Sequence, residues 1–140
     1  MDDDSTDQDH DDLDSDLDLD LAAVEANLAQ ARATARRAFA KLQASMLDVV
    51  ETFTHEAKVA TGLIAVLASE HEVTELVTNF DISTERNRLT TSLETYETLR
   101  REARVAMWRI MLAEGCSIGE ISRIFGVSRQ LVSRQLRDVP

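Results

Sequence analysis

Apolar residues recur along this chain at helical spacing from Leu21 onward. Leu21, Val24, Leu28, Ala31, Ala35, Phe39, Leu42, Met46, Val49 and Phe53 follow one another by steps of three or four. That pattern is a heptad seam carrying one extra residue near Ala35. Glu25, Gln30, Arg36, Arg37 and Lys41 fill the remaining faces, so the segment predicts an amphipathic helix of about 50 Å whose stripe needs a second helix to cover it. Gly62 weakens the stretch that follows, but Val59, Leu63, Ile64, Leu67, Val73, Leu76 and Val77 keep an apolar helical face to about Thr78. Asn79-Phe80-Asp81 reads as a connection. Ser83 or Asp81 can cap a third helix with the face Leu89, Leu93, Tyr96, Leu99, Ala103, Met107 and Ile110, ending at Gly115 as the C′ residue.

The last quarter is punctuated differently. Ser117-Ile118-Gly119-Glu120 is a capping box, with Cys116 and Ile121 at the positions of a hydrophobic staple. A short helix begins there with Ile118, Ile121, Ile124 and Phe125 turned to a core, and Gly126 ends it. Val127 and Val132 form a second staple around Ser128, which caps a final helix. At about 100° per residue this helix gathers Arg129, Ser133, Arg137, Gln130 and Arg134 within about 140°, and sets Leu131, Val132 and Leu136 opposite. The polar arc holds no acid. Arginine pairs with guanine edges and glutamine with adenine edges, so the arc has the side chains of a helix lying between two phosphate rows.

Charge sharpens the contrast. The 140 residues carry a formal charge of -11, and the eleven Asp of residues 1–20 account for it. Residues 21–95 carry a net -3 and residues 96–140 a net +3, so the C-terminal part is mildly basic. The stretch 1–20 reads as a disordered acidic tail that serves solubility or competes with nucleic acid for the basic end. Its Asp14, Asp16, Asp18, Asp20 and Glu25 stand at calcium-loop spacing, but Leu19 occupies the place of the turn glycine. Few Gly, one Pro and few aromatics favour helix. One cysteine, no signal-peptide pattern and no long apolar run point to a cytoplasmic, nucleoid-associated protein without a membrane partner. His55 and His71 lack a second ligand at i+3 or i+4 and read as solvated surface residues. No nucleophile and base pair, phosphate loop or paired-cysteine site is legible, so neither catalysis, cofactor nor metal is expected.

From about Arg104 to Arg137 the residues resemble the helix-turn-helix of bacterial and phage regulators, most like the short resolvase-type and sigma-factor-type versions. The resemblance sets Met107 to Glu114 as the supporting first helix, Gly126 as the turn glycine and Val127 as the apolar residue after it. Ile121 and Val132 become the buried branched residues, and Ser122 takes the usual small Ala position. Gln135 stands where an apolar residue is common. The family's docking geometry implies that Arg129, Gln130, Ser133 and Arg134 face bases, with Ser117, Ser128 and Arg137 near phosphates.

The expectation is an all-α chain: a long helical hairpin or coiled coil over 21–95, followed by a helix-turn-helix domain over 96–140. Its expected partners are double-stranded DNA and a second copy bound through 21–95, as in a homodimeric, sequence-specific transcriptional regulator. Two alternatives stand beside it: an architectural or assembly protein that docks on DNA, such as a phage terminase-like or transposase accessory subunit, and a pure coiled-coil interaction module.

Overall fold

The computed structural model describes residues 11–69, 72–79 and 81–139. The fold is all-α, and long helices dominate it. Its elements are α1 (Asp11–Leu67), α2 (Val73–Asn79), α3 (Ile82–Ala113), α4 (Ile118–Phe125) and α5 (Arg129–Asp138), with no strand among the described residues. None of these helices is long and apolar enough to cross a membrane.

The N-terminal expectation changes. Residues 1–10 lie outside the described residues, whereas Asp11–Asp20, expected as part of a disordered tail, open α1. The calcium-loop spacing therefore lies on continuous helix. His71 is outside the described residues.

The contacts divide the chain into two compact units, one of residues 37–104 and the other joining the chain before Arg37 to the chain from Val105 onward. In the 37–104 unit, α1 and α3 run antiparallel. Ser92 Oγ donates to Asp48 Oδ2 at 2.5 Å, Arg88 Nη2 lies 3.9 Å from Glu51 Oε1 and His55 Nε2 lies 3.0 Å from Glu85 Oε2. His55 is thus half-buried against α3 rather than solvated. Asp81, not Ser83, caps α3: its Oδ1 accepts from the Thr84 N–H at 3.0 Å and its Oδ2 from the Thr84 hydroxyl at 2.6 Å.

The covered seam of α1 differs from the expected one. The half-buried and buried positions include Leu28, Ala31, Ala35, Ala38, Leu42, Ser45, Val49, Thr52, Glu56, Val59, Leu63 and Val66, which follow one another by alternating steps of three and four, while Ala33, Thr34 and His55 are half-buried off that line. Phe39, Met46 and Phe53, expected in the seam, are exposed. From Phe39 onward the expected residues straddle two lines, since Leu42 and Val49 do belong to the covered seam. On α3, buried Ser92 takes the seam place expected of Leu93, which is exposed.

In the other unit the end of α3 meets α4 and α5. Val105, Trp108, Ile121 and Val132 form a fully buried cluster, with Met111, Cys116, Ile118, Val127, Leu136 and Val139 packed against it. The Phe125 ring stands edge-on to Trp108, centroids 5.7 Å apart. Ile124, expected in this core, is 64% exposed. The inward arc of α4 is centred between Ile121 and Ser122, and Ile124 falls about 100° from that centre. Replacing Trp108 with Ala should cost about 3–5 kcal/mol in a urea melt, whereas Ile124→Ala should stay within about 0.5 kcal/mol; equal losses would mean that the cluster is wrongly assigned.

Candidate nucleic-acid interface

Two chain reversals position the last helix, and each has local causes. At the end of α3, Gly115 takes a left-handed conformation (φ 93). The Cys116 N–H donates to Met111 O at 2.8 Å and the Gly115 N–H to Leu112 O at 3.0 Å, the paired bonds of a Schellman motif. Met111 and Cys116 both pack on the core cluster.

Ser117 then opens α4. Its Oγ accepts from the Glu120 N–H at 3.2 Å, while Glu120 Oε2 accepts from the Ser117 N–H at 2.8 Å and from the Ser117 hydroxyl at 2.8 Å. These bonds, the backbone one first, hold the Glu120 carboxyl below its ordinary pKa. Asp81 is lowered in the same direction, chiefly by the Thr84 side-chain hydrogen bond and then by the Thr84 backbone N–H.

Gly126 ends α4 at φ 64, and its N–H donates to Ser122 O. The Val127 N–H reaches the same carbonyl at 3.0 Å, and the Ser122 hydroxyl donates to Val127 O at 2.5 Å. Ser122 thus serves the turn with its hydroxyl as well as by being small. Ser128 caps α5 by accepting from the Leu131 N–H at 3.1 Å.

At the far end of α5, Arg109 of α3 donates through Nη2 to Leu136 O at 3.3 Å and to Val139 O. A guanidinium on the last carbonyls satisfies orphan acceptors and complements the helix dipole. No local sequence signal points to Arg109, because its acceptors lie 27 and 30 residues away. Leu136 and Val139 pack on the core, supplying the apolar anchorage that the position of Gln135 lacks.

With α5 held along one side and at both ends, Val132 is fully buried and Leu131 half-buried. Arg129, Gln130, Arg134 and Arg137 are exposed, and Ser133 is half-buried on the same side. Arg129 lies across Gly119 of α4: a Cβ there would stand 3.0 Å from Nη2 and 3.3 Å from Cζ and Nε. Glycine at 119 therefore leaves the space that this guanidinium occupies. Ser117, expected near phosphates, has its hydroxyl engaged by Glu120. The Ser128 hydroxyl serves as an acceptor in its cap, which leaves its own proton for an outside acceptor.

The capping box predicts a pH dependence. A carboxyl whose folded pKa is depressed adds stability that is complete above the ordinary glutamate range and disappears as the pH falls through the folded value. The parent should therefore lose its thermal advantage over Glu120→Gln as the solution is acidified below that range; a gap independent of pH would remove Glu120 as the source. Comparison of the chain with protein-family models, with curated proteins and with solved structures finds no match.

Proposed function

We propose that this chain is a sequence-specific DNA-binding protein, a transcriptional regulator acting as a dimer, with α5 entering the major groove. The observation that carries the reading is the acid-free arc of Arg129, Gln130, Ser133, Arg134 and Arg137, exposed except at half-buried Ser133, on a helix whose opposite face packs on the core through Val132 and Leu136. Base recognition needs donors and acceptors aimed from a rigid backbone, because a loosely held helix loses in ordering entropy what its contacts supply. Caps at both ends and a buried Val132 meet that requirement.

Within this reading the contacts sort by chemistry. Arg129, Gln130, Ser133 and Arg134 reach base edges, Arg and Gln through bidentate pairs. Arg137 and the Ser128 hydroxyl meet phosphates, together with the N-terminal amides of α5. Ser117 is not needed for contact, since its hydroxyl already binds a carboxylate that phosphate would repel. One module has few basic side chains on its reading face, and phosphate neutralisation sets affinity, so two copies are required for tight binding.

Arg134→Ala should cost about 1–3 kcal/mol on the preferred site and relax selection at one base position. Arg137→Ala should weaken every sequence alike and reduce the slope of log affinity against log salt by about one. Binding-site selection at fixed salt, followed by titrations on the selected and random duplexes, measures both; equal losses on both duplexes for both variants would defeat the assignment. Gly119→Ala should displace Arg129 without unfolding α4, gaining up to about 1 kcal/mol in helix propensity while lowering affinity for the selected site. Unchanged affinity would take Arg129 out of the contact set.

A further inference from the structure

The covered seam leaves a second face of α1 bare. Viewed down the helix, the positions beside the seam on one side run from Phe39 to Leu67 without one charged residue, and every one of them is exposed. Phe39, Met46, Val50, Phe53, Ile64 and Leu67 are between 41 and 68% exposed. The charged residues of this stretch, such as Lys41, Asp48, Glu51 and Lys58, stand on the other faces. The bare stripe extends about 42 Å at 1.5 Å per residue. At on the order of 200 Å² per large apolar residue, the six offer roughly 700 Å². That approaches the about 800 Å² per partner of a standard stable interface, and it exceeds the largest apolar patch of a typical monomer.

We propose that this stripe is the dimer interface, and that its occupant is the same stripe of a second copy, packed antiparallel about a two-fold axis near residue 55. The inference rests on the dimeric reading above for its purpose and on α1 alone for its geometry. A helix that is to bury this face must itself present an uncharged stripe of similar length. α3 does not, since its exposed positions include Arg86, Glu94, Glu97, Arg100 and Arg101. The stripe of α1 does, and it is complementary to itself. Pairing about residue 55 sets Phe53 against Ala57 of the partner subunit, Val50 against Ala60 of the partner subunit and Met46 against Ile64 of the partner subunit. Large then meets small at the centre, which is how facing helices interdigitate. The surface there is shallow and open, lined by Val50, Phe53, Thr54, Ala57, Lys58 and Thr61, and leaves room for the Phe53 ring of the partner subunit.

The test uses the full chain without DNA, in sedimentation equilibrium with helicity followed by circular dichroism. The parent should have the mass of two chains at micromolar concentration. Val50→Glu/Phe53→Glu should have the mass of one chain with its helix signal retained, since both positions face solvent in the single chain. Ala57→Glu and Ala60→Glu, both at exposed positions of the stripe, should each raise the dimer dissociation constant about tenfold or more, because each sets a carboxylate against an apolar side chain of the partner subunit. These single exchanges also decide the matter if the double variant loses helix. A parent that stays a single chain at a hundred times that concentration overturns the proposal, as does a dimer untouched by Val50→Glu/Phe53→Glu or by the two alanine exchanges, or a ring of many copies. Failure here is separable from failure of the DNA reading: a monomer that selects a DNA sequence sinks only the interface, and a dimer indifferent to DNA sinks only the regulator.

Discussion

Val132 is fully buried because Trp108, Val105 and Ile121 stand where they can cover it, and the C-terminal unit depends on that contact. α5 has ten residues, too few to be a stable helix alone in water. What keeps it helical and aimed is one apolar side laid on α3 and α4, with Ser128 supplying the first turn and Arg109 the last. The exposed arc follows as a consequence. Once Val132 points inward, the 3.6-residue period sends Arg129, Gln130, Ser133 and Arg134 outward together. The reading face and the packing face are two sides of one constraint.

What was legible in the sequence follows from range. Capping box, staples and the two left-handed glycines act within five residues, so their signatures sit side by side in the chain, and the positions of α4, the turn and α5 agree with them. Ile124 was misplaced because an apolar residue in a two-turn helix has no neighbouring turn to betray its direction. Trp108 and Arg109 escaped for the opposite reason. Both belong to a helix whose periodic face points elsewhere, and both find their partners in α4 and α5, about 17 to 30 residues later. Nothing near either residue in sequence announces a partner so far away.

The long helices show a subtler failure. α1 carries two apolar stripes, and from Phe39 a single list of hydrophobic residues alternates between them, with Phe39, Met46 and Phe53 on the bare one and Leu42 and Val49 on the covered one. The step of four at Ala35 to Phe39 looks like a stutter in one seam, yet it marks where the two stripes begin to mix. The covered seam was hidden because it contains Ser45, Thr52 and Glu56, while the bare stripe holds the larger side chains. Bulk hydrophobicity ranked the two faces in the wrong order. Small residues win the intramolecular seam because they let two helices approach closely, and Ser45, Thr52 and Ser92 are each at most 7% exposed.

Those polar seam residues also explain why the antiparallel pair in the 37–104 unit has one register. An apolar seam with heptad spacing can slip by seven residues and remain apolar, since burial itself is non-directional. Here Ser92 binds Asp48, and Glu85 sits beside His55. A slip of one heptad in one direction would carry Glu85 to the level of Asp48, setting two carboxylates together. A slip in the other direction would carry Arg88 to the level of Lys58 and leave Asp48 without its serine. Either error removes a hydrogen bond and opposes like charges, so polar groups select among arrangements that the hydrophobic effect alone leaves nearly equal. The mixed seam thus fixes how α1 meets α3, and the large side chains remain on the face that seam does not use.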